Sequence, residues 1–190
     1  MKKTLRLFIA APIPDAVTRF LKNTRTTLDQ PGLNIRWVPV ENIHLTLKFI
    51  GDIDAVSVDP IAERMDAAAG ANASFALIAR SVGGFPNLRS FRVLWVGVDG
   101  DTRRLETLQR SVESELETLG LERERRRFHP HFTLARARQR VDGGRFGLLD
   151  ASWTQHASEA FRVDRICLLA SVLKPSGAEY TRLHTSYLAG

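Results

Sequence analysis

Cysteine is nearly absent from this chain, which has only Cys167 among its 190 residues. A lone cysteine excludes an intramolecular disulfide, and this usage is typical of a protein from a reducing compartment. Cys167 lies within the apolar run Ile166-Cys167-Leu168-Leu169. It is therefore interpreted as a small buried hydrophobe, in preference to a nucleophile or a metal ligand.

Long apolar segments are missing as well, because no stretch approaches the ~18–20 residues that a transmembrane helix requires. Near the start, Met1-Lys2-Lys3 and the apolar residues up to Ala11 imitate a secretion signal. However, Arg6 interrupts this short run, and Pro12 and Pro14 follow it at once. The run favours a first β-strand, and we expect a cytoplasmic protein with no membrane partner.

No low-complexity segment or linker divides the chain, and 190 residues can bury the core of one domain. Strand-like and helical segments follow each other in two halves of similar order, which predicts an α+β fold with two sheet-bearing lobes. The expected strands include 4–10, 43–50, 75–79, 91–98 and 161–172, the expected helices are 15–28, 62–69 and 105–119, and 83–87 and 174–177 are expected to be a loop and a turn.

One short motif occurs twice, as His44-Leu45-Thr46-Leu47 and, 87 positions later, as His131-Phe132-Thr133-Leu134. Side chains on a strand alternate between its faces, so each His shares a face with its Thr while the apolar pair faces the core. Two such strands side by side would bring two imidazoles and two hydroxyls into one pocket. The repeat therefore predicts acid–base chemistry on a ligand with several oxygens.

Positive charge exceeds negative charge, with 27 Lys and Arg against 21 Asp and Glu, for a net charge of +6. The excess surrounds the second motif: the arginine-rich segment 122–127 precedes it, and Arg136, Arg138 and Arg140 follow it. This arrangement favours a polyanionic partner, of which nucleic acid is the commonest. A solvated arginine-rich face is the alternative.

With these motifs, the chain resembles the 2H phosphoesterase superfamily and, within it, the bacterial and archaeal RNA 2′,3′-cyclic phosphodiesterases, formerly described as 2′-5′ RNA ligases. The matching stretches are 6–10, 42–51, 84–86, 92–98 and 128–136. The resemblance implies a bilobal, pseudo-twofold α+β fold in which two antiparallel-sheet lobes with flanking helices enclose a central cleft. It also implies one domain, 1–190, with motif 44–47 in one lobe and motif 131–134 in the other.

The activity that the resemblance implies is hydrolysis of an RNA terminal 2′,3′-cyclic phosphate to a 2′-phosphomonoester, with weak reversible 2′-5′ RNA ligation at the same site. It implies that His44 is the proton donor to the leaving 3′ oxygen and that His131 is the proton acceptor that activates water. The two motifs are too similar for spacing alone to assign these roles. Thr46 and Thr133 are expected to donate hydrogen bonds to the phosphate oxygens.

Arg136 matches a family position that helps to hold the phosphate, and guanidinium suits oxyanions well. Strict alternation from His131 would put Ala135 on the pocket face, so Arg136 requires a bulge or the end of the strand. By the same alternation, Lys48 is expected at the rim of the His44 face and Phe49 in the core. Two further aromatic residues could stack on a base or pack in the core: Trp37 and Phe85.

The same residues allow other interpretations. His129 and His131, with His44, imitate a zinc site, but no carboxylate or cysteine lies at a useful spacing. We therefore expect neither a metal nor a cofactor. Two more histidines have no motif around them and are interpreted as surface or strand residues: His156 and His184.

Two rival functions remain open: a noncatalytic module that binds RNA ends or nucleotides, and a related phosphodiesterase for another small cyclic or 2′-5′ phosphodiester. The expected partner is an RNA with a 2′,3′-cyclic phosphate end or a small cyclic nucleotide. We expect a monomer without an obligate protein partner.

Overall fold

The computed structural model describes residues 4–174 and 177–190. The strands of this described part are β1 (Thr4–Ala11), β2 (Arg36–Trp37), β3 (Leu45–Asp54), β4 (Phe75–Asn87), β5 (Ser90–Gly100), β6 (His131–Val141), β7 (Phe161–Val163), β8 (Arg165–Lys174) and β9 (Gly177–Tyr187). The α-helices are α1 (Asp15–Leu28), α2 (Val58–Gly70), α3 (Thr102–Glu117) and α4 (Ser152–Gln155).

All of these strands belong to one antiparallel sheet, in the order β7-β4-β5-β6-β3-β1-β8-β9, with the short β2 paired to β6. From the centre of the sheet outward, both sides have the same arrangement: a motif strand, its antiparallel neighbour, a third strand and an edge strand. We call these the β3 half (β3, β1, β8, β9) and the β6 half (β6, β5, β4, β7). The two antiparallel-sheet lobes expected from the sequence are thus the halves of one continuous curled sheet, and the α+β class is confirmed.

The halves meet where the motif strands begin, at the single cross-strand pair Leu45 and Phe132. Both side chains are fully buried in the core. This joint matters for function because it brings the beginnings of the two motif strands, which are 87 residues apart, side by side.

The helices form because their apolar residues recur at helical spacing. The predicted bounds of α1 agree with the structure, where Val17, Leu21 and Leu28 are buried. In α3 the buried apolar residues are Leu105, Leu108, Val112 and Leu116. Helices α2 and α3 lie together on the β3 half, where side chains of both contact its strands.

One predicted loop is wrong, because residues 83–87 belong to the long strand β4. Gly83 and Gly84 predict a loop, yet the indole of Trp95 lies where a Cβ of Gly83 would stand, with its nearest atom 2.1 Å away. A glycine inside a strand often marks such a close approach. The turn predicted at 174–177 includes residues outside the described part of the chain.

Candidate functional site

The site lies on the face of the sheet opposite the core side chains of the joint. Because Leu45 pairs with Phe132 and the strands are antiparallel, the register sets His44 opposite Thr133 and Thr46 opposite His131. Directly opposed residues are close neighbours, and diagonal ones have Cβ atoms about 7–8 Å apart. The two histidines are such a diagonal pair, so both imidazoles lie on the same face of the sheet at the joint.

Both motif strands contain a β-bulge at the fourth motif residue. In β3, Thr46 pairs with Ala10 and Lys48 pairs with Ile9, so Leu47 has no partner on β1. In β6, Leu134 is likewise skipped in the pairing with β5. An extra residue on one strand reverses the alternation of faces beyond it.

The bulge in β3 overturns the expectations for Lys48 and Phe49. Lys48 is not a rim cation: it is 4% exposed, and its Nζ lies 2.5 Å from Glu113 Oε2 of α3. Phe49 is not a core residue: it is 53% exposed, and the Arg6 guanidinium lies 5.0 Å from its ring centroid. Beyond the bulge, the face that carries His44 and Thr46 continues with Phe49.

The bulge in β6 has the corresponding effect on Ala135 and Arg136. Ala135 is fully buried, and Arg136 is exposed on the other face. Burial is the main cause that lowers the pKa of both His44 and His131, and the positive charge of Arg136 lowers both further. Arg136 therefore lies near both imidazoles, on the face where the resemblance requires it.

His44 is held by its backbone neighbour and by two aromatic rings. Its Nδ1 lies 2.8 Å from the carbonyl oxygen of Asn42, which can only accept, so Nδ1 carries the proton and Nε2 remains for a ligand. The ring centroids of Phe8 and Tyr180 are 4.7 and 5.3 Å away. Burial lowers the pKa of His44 to about 4, with smaller contributions from Arg136 and His131 that also lower it.

His131 is held in the same way in different surroundings. Its Nδ1 lies 2.7 Å from the carbonyl oxygen of His129, which again leaves Nε2 for a ligand. Phe85 stands edge-on at 5.0 Å between centroids, and Trp95 lies at 6.2 Å. Burial is the main cause that lowers the pKa of His131, and the charges of His129 and Arg136 add to it.

The motif threonines offer unused hydroxyl groups. Across residues 4–174 and 177–190, neither the Thr46 nor the Thr133 hydroxyl has a hydrogen-bond partner in the protein. By contrast, the hydroxyl of Thr24 donates to the Phe20 carbonyl oxygen, as is common for helical threonines. The free hydroxyls leave two donors beside the two imidazoles.

Tyr180 and Asn42 belong to the site but were not expected from the sequence. Tyr180 reaches His44 from β9, and Asn42 Nδ2 donates to the Ala178 carbonyl oxygen at 2.6 Å, which attaches β9 to the segment before β3. No motif marks Tyr180, since only the sheet order brings the β8–β9 hairpin beside β1. The burial of its ring raises the pKa of the Tyr180 hydroxyl.

The other candidates from the sequence lie elsewhere or pack against the site. Trp37 is part of β2, where the Arg25 guanidinium lies 5.4 Å from its ring centroid. His156 Nε2 is 2.7 Å from Thr24 Oγ1, and His184 Nε2 is 2.8 Å from Asp66 Oδ1. Among the residues that the structure describes, no three or more His, Cys, Asp or Glu side chains form a group able to hold a metal ion. Nor does this part of the chain contain a helix of the length and apolarity needed to cross a membrane.

Comparison with known proteins points to one family. The family model described as LigT like phosphoesterase matches the chain twice, at residues 11–95 and 96–180, so each match contains one histidine motif. The RNA 2′,3′-cyclic phosphodiesterase of Thermotoga maritima is 30% identical over 186 residues, covering 98% of this chain and 97% of the relative. The protein of that name from Methanothermobacter thermautotrophicus is 28% identical over 177 residues, covering 93% and 95%.

Solved structures agree with the sequence relatives. A crystal structure of E. coli LigT complexed with 3′-AMP has a TM-score of 0.79 and 26% identity, with 99% of this chain and all of the other covered. A crystal structure of a protein from Thermus thermophilus has the same TM-score and identity, and covers 98% of this chain and 99% of the other.

Proposed function

The chain belongs to the LigT-like phosphoesterase family and is a hydrolase of phosphodiester bonds, and from that premise we propose that it hydrolyses RNA terminal 2′,3′-cyclic phosphates to 2′-phosphomonoesters. The names of the full-length relatives support this substrate. The observation that carries the proposal is the diagonal pair of imidazoles, each with Nδ1 bound to a backbone carbonyl and Nε2 available.

Ring opening to a 2′-phosphate requires water to attack phosphorus in line with the departing 3′ oxygen. Attack and departure occur on opposite sides of the phosphorus, so a base and an acid are needed on opposite sides. In the proposed mechanism His131 takes the proton of the attacking water and His44 gives a proton to the 3′ oxygen. Each transfer typically contributes about 10²–10⁴ in rate.

The roles of donor and acceptor follow the resemblance, and the two imidazoles differ in their burial. The more deeply buried His44, whose pKa falls to about 4, becomes the stronger acid once it is protonated. Burial lowers the pKa of His131 as well, although its ring is less deeply buried than that of His44. A bound phosphodiester carries a negative charge that favours imidazolium and raises both pKa values, and the proposed mechanism requires the shared proton to lie on His44 and not on His131.

The non-bridging phosphate oxygens gain charge in the transition state and need donors. Arg136 supplies a fixed positive charge near both histidines, and the hydroxyls of Thr46 and Thr133 supply neutral donors on the same face. Together these groups supply the charge stabilisation, so the proposed mechanism uses no metal ion. A 5′-hydroxyl that attacks phosphorus in place of water would follow the same steps, release the 3′ oxygen and form a 2′-5′ phosphodiester, which is weak 2′-5′ ligation.

The test is the product formed from an RNA that ends in a 2′,3′-cyclic phosphate, incubated with the protein in EDTA. The expected product is the RNA 2′-phosphate, identified by its resistance to a 3′-specific phosphatase and by mass. An RNA 3′-phosphate would contradict the proposed leaving group, and activity only with added Zn²⁺ would contradict the metal-free mechanism. Binding without turnover would favour the noncatalytic module.

A further inference from the structure

Beside the site lies a groove of about 520 Å³ whose lining is rich in arginine. We call it the arginine groove. Its guanidinium groups come from β2, from β6 and from the 3₁₀ turn Gly143–Phe146 that follows β6. The five arginines are Arg36, Arg136, Arg138, Arg140 and Arg145.

The fold builds this groove by detaching β6 from its neighbour. Arg136 pairs with Val93 and Val141 pairs with Phe91, so Arg92 alone stands opposite four residues of β6. The Arg92 guanidinium donates to the carbonyl oxygen of Arg138 and fastens the detached stretch. The side chains of this stretch are thereby presented beside the site instead of along a regular ladder.

The charge of the groove is not neutralised by the protein. Within residues 4–174 and 177–190 none of its five arginines forms an ion pair, and Asp142 is the one acidic residue of the lining. The Asp142 carboxylate accepts the backbone N–H of Gly144 at 2.9 Å. Five cations against one anion make the groove a site for a polyanion.

The other arginine-rich segment beside the second motif differs in this respect. The Arg123 guanidinium lies 2.8 Å from the Glu117 carboxylate, and that of Arg126 lies 3.1 Å from the Glu124 carboxylate. Segment 122–127 has four arginines and two glutamates, and of its arginines Arg125 and Arg127 form no ion pair within the described residues. The arginine groove, with five arginines and one aspartate, has the larger excess of positive charge.

We propose that the arginine groove binds backbone phosphates of the RNA strand that leads to the terminal cyclic phosphate. This inference rests on the proposed function, since a cyclic phosphate at a 3′ end leaves the rest of the strand on its 5′ side. Arg136 belongs both to the groove and to the surroundings of the histidines, so the path from site to groove is continuous. Guanidinium groups bind phosphate oxygens through paired hydrogen bonds. The substrate class is therefore an oligonucleotide end, in preference to a mononucleotide.

The test compares an oligonucleotide with a mononucleotide, both ending in a 2′,3′-cyclic phosphate. The double variant Arg138→Gln/Arg140→Gln is expected to lower the ratio of kcat/KM for the oligonucleotide to that for the mononucleotide about 10-fold. The salt dependence of oligonucleotide binding, as the slope of log K against log salt, should weaken by about 1.4. The matched control Arg123→Gln/Arg126→Gln removes the same charge from ion-paired positions and should leave the ratio and the slope at their wild-type values.

Equal changes in both double variants would overturn the proposal, because they would reflect net charge alone. An unchanged ratio and slope in the groove variant would overturn it as well. A second measurement separates the groove assignment from the catalytic proposal. In it, fluorescence anisotropy measures the binding of an oligonucleotide that ends in a 2′-phosphate. If the wild type binds this probe more tightly than the groove variant but does not hydrolyse the oligonucleotide 2′,3′-cyclic phosphate, the groove assignment holds and the proposed function fails.

Discussion

The two motif strands share a local structure but differ in what surrounds it. In β3 and in β6 a histidine and a threonine face the site, a bulge follows at the fourth residue, and the histidine Nδ1 is bound to the carbonyl oxygen two residues earlier. The repeated sequence therefore produces a repeated geometry. The equivalence ends at the neighbours, which come from other strands and helices.

Beyond the bulge, the differences are chemical. The fourth residue after the histidine is the ion-paired Lys48 in β3 and Ala135 in β6, both buried. The fifth residue faces the site and is Phe49 in β3 and Arg136 in β6. Local repetition thus creates two similar imidazole–hydroxyl pairs, while unlike neighbours give the imidazoles different surroundings and a cation on one side only.

The largest expected effect comes from removing either imidazole. His44→Ala and His131→Ala should each lower kcat on a terminal 2′,3′-cyclic phosphate by about 10²–10⁴, because each removes one proton transfer. An aryl phosphodiester substrate should distinguish the two histidines, because its leaving group, 4-nitrophenolate, departs without protonation. On that substrate His44→Ala should regain most of the lost rate, and His131→Ala should not.

Single-turnover rates on both substrates check this prediction. His184→Ala is the control, since His184 contacts Asp66 on α2, and it should retain the wild-type rate. Equal recovery of both site variants on the aryl substrate would contradict the assigned roles.

The next effect concerns the buried ion pair that only the β3 half has. Lys48→Met leaves the Glu113 carboxylate buried without its partner, which should lower the free energy of unfolding by about 3–5 kcal/mol. The double variant Lys48→Met/Glu113→Leu removes both charges and should lose less. Urea unfolding measures the free energy of unfolding of each variant. Arg64→Met is the control, because the Arg64–Glu115 pair, at 3.5 Å, is exposed. Such an exposed pair contributes less than about 1 kcal/mol. A Lys48 variant no less stable than this control would refute the prediction.

The dependence of stability on pH should also distinguish the two histidines. The pKa of His44 is about 4 in the folded protein and about 6.5 when unfolded, so the unfolded chain binds the proton more tightly. The contribution of neutral His44 to the free energy of unfolding is complete above about pH 6.5. About 3 kcal/mol of it is lost as the pH falls towards 4. Urea unfolding at pH 7 and 4 should show a smaller loss in His44→Gln than in wild type. In His131→Gln the loss of stability between pH 7 and 4 should be reduced less than in His44→Gln. Identical losses in wild type and His44→Gln would contradict the prediction.

Much of this arrangement follows from the sequence, and the failures have a common physical origin. The bounds of α1 and the pairing of the two motifs are local or repeated patterns. The bulges are a property of how two strands pair, so alternation alone misplaced Lys48 and Phe49. The site contact of Tyr180 depends on sheet order, which no local pattern carries. For Arg136, strict alternation and the resemblance predict opposite faces of the strand unless the strand contains a bulge. The structure has a bulge at Leu134, so Arg136 lies on the face that the resemblance implies.

The fifth residue after each histidine offers a direct comparison of the two halves. Arg136→Gln should lower kcat/KM for a mononucleotide 2′,3′-cyclic phosphate about 10²-fold, because it removes a charged donor near the phosphate. Arg136→Lys should recover only part of this, since an ammonium lacks the bidentate geometry. At the equivalent position, Phe49→Ala should change kcat/KM by no more than about 3-fold. Steady-state kinetics decide, and a Phe49→Ala loss as large as that of Arg136→Gln would mean that the halves are not chemically distinct.

The smallest effect is expected where the halves are most alike. Thr46→Val and Thr133→Val keep a β-branched side chain and remove one hydroxyl donor each, so each should lower kcat about 10-fold. Because the register sets each threonine opposite the other strand's histidine, the two losses should be similar, and serine at either position should restore the rate. Thr185→Val on β9 is the control and should leave kcat unchanged. A loss confined to one threonine would mean that the phosphate is held by one half only, and that the symmetry of the joint ends at the imidazoles.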